Sequence, residues 1–345
     1  MLISLAAFRT KHSQKGGFMK VADMHCDTIA EILYAKKSGK NKSICLRKNG
    51  LHIDLDKMKK GDYLLQNFAM FVDLQKRENP FEWCMELADT FYGEMEENSA
   101  FIAPVRTYGD IEKNIKDKKI SALLTIEEGG VCKENLAFLR DFYRLGVRML
   151  TLTWNYKNGL GHPNKRKEFP LEPDTVNGLT PLGIEFLQEM ERLGIIVDVS
   201  HLSDAGFYDV VKYAKKPFVA SHSNTRSVCG NVRNLTDDML KKIADCGGVT
   251  GINFEPSFLY GKTSGEKFCA GIAQVVSHIK HIAKVAGTEC IGLGSDFDGI
   301  TTNEELMDAS YLPRLEDALF AAGFSQNQVE GIFYKNVLRV YRELL

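Results

Sequence analysis

Along the chain, eight short runs of β-branched and apolar residues alternate with longer stretches whose apolar positions recur every three to four residues. The short runs are residues 20–25, 67–73, 120–127, 147–153, 195–200, 218–222, 249–254 and 291–295. Runs of this length that are apolar at nearly every position predict strands buried on both faces. The 3.6-residue periodicity predicts helices over 29–37, 136–145, 183–193, 205–214, 237–246 and 271–286. Glycines stand where several of these helices should stop, at Gly146, Gly194, Gly247 and Gly287, the position at which a helix turns left-handed. Eight strand–helix units predict a parallel sheet, and eight is the number that closes as a (β/α)8 TIM barrel. No linker or change of composition interrupts the pattern, so residues 19–345 are expected to form a single catalytic domain.

The connections after the first, second and fourth strands are long: 38–66, 74–119 and 154–182, the last rich in glycine and proline. On a barrel, the loops on that side build the active site. The chain of 345 residues is 44% hydrophobic, enough for a large core, and its formal net charge of −1 argues against a nucleic-acid partner. Its eight cysteines are scattered without Cys-x-x-Cys spacing, which argues against a zinc ribbon or disulfide framework and fits a reducing cytoplasm. Nothing is long enough to span a bilayer, and the C-terminal stretch 333–345 lacks a lipid-anchor tail. The apolar start, Met1 to Phe8, precedes its basic residues, the reverse of a signal peptide. Residues 1–18 are therefore expected to be a dispensable extension with Met19 the natural start, and the protein to be cytoplasmic without a membrane partner.

The chemistry gathers at the ends of the strands. His25 and Asp27, spaced i and i+2, point to one face of an extended segment, and imidazole plus carboxylate suits a divalent metal such as zinc. Cys26 between them points the other way, to a structural role. Glu127 and Glu128, before Gly129-Gly130, end the third run; Trp154 and Asn155 follow the fourth; His201 follows the fifth; His222 ends the sixth; Asp296 ends the eighth. Three histidines and at least three carboxylates on one rim predict a metal site, with more donors than one tetrahedral zinc uses. Two metals bridged by a carboxylate would use them all and favour hydrolysis at a carbon or phosphorus centre. The Gly292-x-Gly294 pair does not open a nucleotide-binding fingerprint.

Taken together, His25-x-Asp27, Glu127 before a glycine pair, Val199-Ser200-His201, Ser221-His222-Ser223, Arg233-Asn234 and Gly294-Ser295-Asp296-Phe297-Asp298-Gly299 resemble the membrane (renal) dipeptidase family of zinc metallopeptidases over about residues 20–340. The resemblance implies a dipeptidase holding two Zn2+ per chain, other divalent metals being alternatives, and acting on free dipeptides, including those with a D-residue at the C-terminal position. It implies His25 and Asp27 on one zinc, Glu127 bridging, His201 and His222 on the second, and Asp296 beside the first zinc as proton shuttle. Arg233 would pair with the substrate carboxylate, Asn234 would position the substrate, and Asp298 would shape its turn. One departure stands out: the family has a histidine after strand four, where this chain has Trp154, an indole that donates but cannot act as acid or base. That role falls to Asn155, to His162, to the metal alone, or to none if the substrate differs. Another barrel amide hydrolase, a nuclease and a non-catalytic metal-binding relative are the competing readings. The oligomeric state stays open, a homodimer included.

Overall fold

The computed structural model describes residues 19–164, 172–260 and 271–345. Among these residues nine strands run in parallel: β1 (Val21–Asp23), β2 (Tyr63–Phe71), β3 (Ile102–Val105), β4 (Ile120–Glu127), β5 (Met149–Thr151), β6 (Ile196–Asp198), β7 (Val219–Ala220), β8 (Val249–Ile252) and β9 (Ile291–Leu293). Eight of them close a barrel: β1 pairs with β2 and β9, and β2 pairs with β4 from Leu65↔Ser121 to Phe71↔Glu127. The ring continues through β5, β6, β7 and β8 back to β9. The expected (β/α)8 barrel is therefore the fold.

The ninth strand was not expected. β3 lies outside the ring against the first half of β4, Ile102↔Ile120 to Val105↔Leu123, while β5 takes the second half from Thr125↔Met149. It has four residues and contains Pro104, which cannot donate to a ladder and is tolerated on an edge. β2 also begins four residues before its predicted start, at Tyr63.

The helices stand close to their predicted places, at Thr28–Lys37, Leu136–Leu145, Pro181–Leu193, Asp204–Tyr213, Asp237–Asp245 and Ile272–Ala286. Thr180, Ser203 and Thr236 accept backbone N–H bonds at three of the N-termini. Gly146, Gly194, Gly247 and Gly287 all have positive φ at helix ends. The expected extension, residues 1–18, lies outside the described residues, as do Pro170 and Cys269. Among the described residues no helix is long and apolar enough to cross a membrane, and the seven cysteines are all free.

Two layers of apolar side chains make the core, one between sheet and helices and one inside the barrel. The inner layer joins Ala22, Leu65, Met149, Ile196, Val219 and Val249 to Val337, Val340 and Tyr341 of the last helix, Asn336–Leu344. These barrel residues lie toward the starts of their strands, so the last helix seals that end. Tyr341 accepts a hydrogen bond from Asn67 Nδ2 at 2.7 Å. The opposite end is left for chemistry.

Candidate metal centre

Two buried carboxylates inside the strands fix the rim before any donor is placed. Asp23 accepts from Ser295 N at 2.9 Å, Ser295 Oγ at 2.6 Å and His25 N at 3.3 Å, tying the ends of β1 and β9. Asp198 accepts from Ser221 N at 2.8 Å, Ser221 Oγ and Thr151 Oγ at 2.6 Å, and Ser200 N at 3.0 Å, tying β5, β6 and β7. Sequence reasoning missed both. The signal was an acid inside an otherwise apolar, doubly buried run, which must find partners there.

On this frame the six predicted donors meet. His25 Nε2 lies 3.3 Å from Glu127 Oε2, 3.7 Å from Asp27 Oδ2 and 3.8 Å from Asp296 Oδ1. The other oxygen, Glu127 Oε1, lies 2.9 Å from His201 Nε2 and 3.5 Å from His222 Nε2. Glu127 thus turns one oxygen to each of two donor groups, the disposition a bridging carboxylate needs. Two sets of three ligand atoms, His25–Glu127–His222 and His25–Asp27–Asp296, each lie within 4.8 Å of one another, with every residue buried.

Three features of the donor set fit a cation. First, the tautomers are set from behind. His222 Nδ1 lies 2.7 Å from Ser221 Oγ, whose own hydrogen goes to Asp198, so Nδ1–H donates and Nε2 is left as a bare lone pair. His201 Nδ1 lies 3.0 Å from Asn155 Oδ1, with the same consequence. Two such Nε2 atoms 2.9 Å apart repel unless a cation sits between them. Second, among the described residues His25 Nε2 and Asp27 Oδ1 are buried without a hydrogen-bond partner, an arrangement costly unless something is held there. Third, a Cβ at Gly299 would overlap Asp27 Oδ2 and Asp296 Oδ1; glycine keeps that space clear.

Electrostatics agree. Burial, with Glu127 adding repulsion, pushes Asp27 up to about 6. Burial, with Asp27 and Glu127 close by, pushes Asp296 up to about 7. Burial also opposes charge on Glu127, but His25 and the other two imidazoles hold it well below the carboxylate range. Crowded anions of this kind are what a divalent cation relieves.

A cavity of about 540 Å³ opens over the cluster, with Asp27, Glu127, His201 and Asp296 on its floor and Phe71, Trp83, Trp154 and Phe258 among its walls. Trp154 packs edge-on to Phe71 at 4.9 Å between ring centroids, and Asn155 lines the cavity while holding His201. Glu128 turns away from the cluster: it accepts from Gly130 N at 2.8 Å, Trp154 N at 3.1 Å and Asn158 Nδ2, and so braces the next loop. Cys26 is buried, its thiol 3.3 Å from Thr28 Oγ. Asp298, expected to shape its own turn, instead ties it to two distant segments, accepting from Thr28 Oγ at 2.6 Å and His52 N at 2.6 Å.

Arg233 and Asn234 are not on the wall of this cavity. With His201 they border a separate space of about 10 Å³. Arg233 donates to Ser223 Oγ at 3.2 Å and His222 O at 3.3 Å, under Phe258. Asn234 donates to Cys229 O and Phe258 O. His162, whose Nδ1 is 3.0 Å from Gly178 O, is also off the cavity wall. Asn253, absent from the sequence reading, donates to Asp296 Oδ2 at 2.9 Å and to His222 O at 3.3 Å.

A parallel barrel whose C-terminal rim gathers three imidazoles and three carboxylates around a cavity defines a class, the metal-dependent barrel hydrolases. Within it the chain belongs to the membrane dipeptidase family, peptidase family M19, whose model matches residues 17–344. It is 37% identical over 236 residues to an uncharacterized protein encoded 5′ of pqqA in Klebsiella pneumoniae, covering 68% of this chain and 86% of that protein. It is 34% identical over 310 residues to an uncharacterized dipeptidase of Schizosaccharomyces pombe, covering 86% of this chain and 73% of that one. Among solved structures, a Rhodobacter sphaeroides metallopeptidase liganded with a phosphinate mimic of the dipeptide L-Ala-D-Ala superposes with a TM-score of 0.86. That match has 28% identity and covers 95% of this chain and all of the other.

Proposed function

We propose that the protein is a dinuclear zinc dipeptidase, which hydrolyses the peptide bond of free dipeptides, those with a C-terminal D-residue included. The observation that carries the reading is Glu127, with one oxygen toward His25 and the other toward His201 and His222. His25 and Asp27 would hold one zinc, His201 and His222 the other, and Glu127 both. Bound there, the metals supply an acidified water and polarise the scissile carbonyl.

The chain's own groups supply the rest. Asp296 takes the proton of the attacking water and carries it to the departing nitrogen, since an amide anion is too poor a leaving group. Asn253 holds its Oδ2 at 2.9 Å and leaves Oδ1 toward His25. Trp154 closes one wall and excludes water, and it replaces the imidazole that related enzymes place after this strand. With no imidazole in that place, polarisation of the carbonyl would fall to the metals. Arg233, donating to the His222 loop, adds positive charge behind the second group of donors. Acceptance of a C-terminal D-residue is supported by the ligand of the Rhodobacter sphaeroides structure.

The test is metal content together with a dipeptide panel. Protein saturated with zinc and then desalted should carry two metals per chain, and His201→Ala with His222→Ala should carry one. L-Ala-L-Ala and L-Ala-D-Ala should be cleaved, and their N-acetyl or longer forms left intact. One metal in both proteins, or cleavage of longer peptides in preference, refutes the reading.

A further inference from the structure

One cation on the cavity wall makes no ion pair among the described residues. Arg77 follows β2 at the end of a turn in which its N–H donates to Asp73 O at 3.1 Å. Its guanidinium carbon lies 3.6 Å from the centroid of the Trp83 ring. Trp83 is buried near the start of the helix Pro80–Glu97. Stacking on a fixed indole holds a guanidinium plane in place and leaves its N–H edge available to a planar anion. The neighbouring Lys76 is paired with Asp73 at 3.2 Å, whereas Arg77 has no carboxylate oxygen within 4.0 Å among the described residues. Glu31, on which its charge acts, lies beyond that distance. Apart from Lys76, Arg77 and His201, the charged side chains on this wall are carboxylates.

A cavity so rich in acids would ordinarily absorb its arginine into an ion pair. Keeping one stacked and unpaired, in the same space as Asp27, Glu127 and Asp296, makes it a receptor for an anion brought by the substrate. Every free dipeptide brings one carboxylate at its C-terminus; a second comes only with an acidic side chain. We propose, building on the dipeptidase reading, that Arg77 is a specificity residue that binds the side-chain carboxylate of an aspartyl or glutamyl residue. Bidentate geometry between guanidinium and carboxylate favours such a pair over a neutral amide of the same shape.

The zinc-loaded protein is assayed for kcat/KM on Ala-Glu, Glu-Ala, Ala-Gln, Gln-Ala and Ala-Ala, each with L and D second residues, in wild type and Arg77→Met. Methionine keeps an apolar stem on Trp83, so the variant should fold. Wild type should prefer glutamyl over glutaminyl dipeptides, in the position the panel identifies. Arg77→Met should lose about 10- to 150-fold on the best glutamyl substrate, as for a lost charge-assisted hydrogen bond, and stay within about threefold on Ala-Ala. Arg77→Glu should shift preference toward lysyl dipeptides. Equal losses on Ala-Ala and the glutamyl substrate would show that Arg77 reads the C-terminal carboxylate or only supports the fold, and overturn the proposal. Wild type that cleaves Ala-Ala without distinguishing Glu from Gln overturns it alone. Wild type that cleaves no dipeptide overturns the dipeptidase reading with it.

Discussion

Asn155→Ala isolates the part of the metal centre that this chain builds with its own loop. His201 can offer Nε2 to a cation only if its proton sits on Nδ1, and Asn155 Oδ1, 3.0 Å away, accepts that proton's hydrogen bond. Removing the amide leaves a nearly buried N–H to find water, and lets the ring rotate away from Glu127 Oε1, now 2.9 Å from Nε2. Loss of such an outer partner weakens metal binding about 10- to 100-fold, equivalent to roughly 1.4–2.7 kcal/mol. The assay is competition between metal-free protein and a zinc chelator, with far-UV circular dichroism to confirm the fold. Of the two metals proposed, the one assigned to His201 and His222 should weaken, and the one assigned to His25 and Asp27 should not. Asn155→Asp keeps an acceptor in place and should keep both. If Asn155→Ala binds two zinc ions as tightly as the parent, the amide does not orient His201, and the tautomer argument fails.

Two further outcomes can be checked directly. Asp296 has a φ of 62°, a conformation that asparagine tolerates as well as aspartate, so Asp296→Asn should fold and hold its metals; it should lose about 10²- to 10⁴-fold in kcat on L-Ala-D-Ala, as for a positioned acid–base group, and an unchanged kcat rejects the shuttle. His278 accepts from Thr225 N and lies 3.1 Å from Leu259 O, and burial pushes it down to about 4; it is neutral in the fold and protonates more readily when unfolded, so stability is full above about pH 6.5 and falls by roughly 3 kcal/mol as pH drops toward 4. Urea midpoints across that range should fall less for His278→Gln than for wild type, and parallel curves would discount the histidine.

The barrel is legible in the sequence because parallel strands covered on both faces leave near-continuous apolar runs, and glycines mark where helices stop. β3 is not legible: four residues with a proline carry too little pattern to distinguish an edge strand from a loop. The six donors can be picked out because each polar residue stands where an apolar run ends, which on a barrel is one rim. The residues that orient them are hidden for the opposite reason. Asp23 and Asp198 lie inside apolar runs, and their partners, Ser295, Ser221 and Thr151, belong to other strands. Arg233 and Asn234 show a further limit. Their chemistry is plain, but their direction follows from the loop between β7 and the helix Asp237–Asp245, which closes on its own backbone through the Thr225↔Leu235 bridge and on Arg226, paired with Asp204 at 2.7 Å. Nothing in residue types or spacing determines that turn.

Backbone geometry around the centre shows what this design costs. Glu128, His201, Asp296 and Asp298 have φ values of 100°, 72°, 62° and 70°, where residues other than glycine are held at about 1–3 kcal/mol each. All four stand at or just beyond the end of a barrel strand. A regular strand would alternate its side chains between the barrel interior and the helices; a left-handed residue at the end breaks the alternation and re-aims the chain. That is how His201, directly after Ser200, and Asp296, directly after Ser295, both come to face the cluster while the two serines remain tied into the barrel. Each strained residue is pinned through its side chain: Glu128 by Trp154 N and Gly130 N, His201 by Asn155, Asp296 by Asn253, and Asp298 by Thr28 and His52. Glycine at any of the four would relax the backbone and delete the anchor at the same stroke. Strain and chemistry therefore share the same atoms, and the buried layers of the barrel beneath them hold the rim in place.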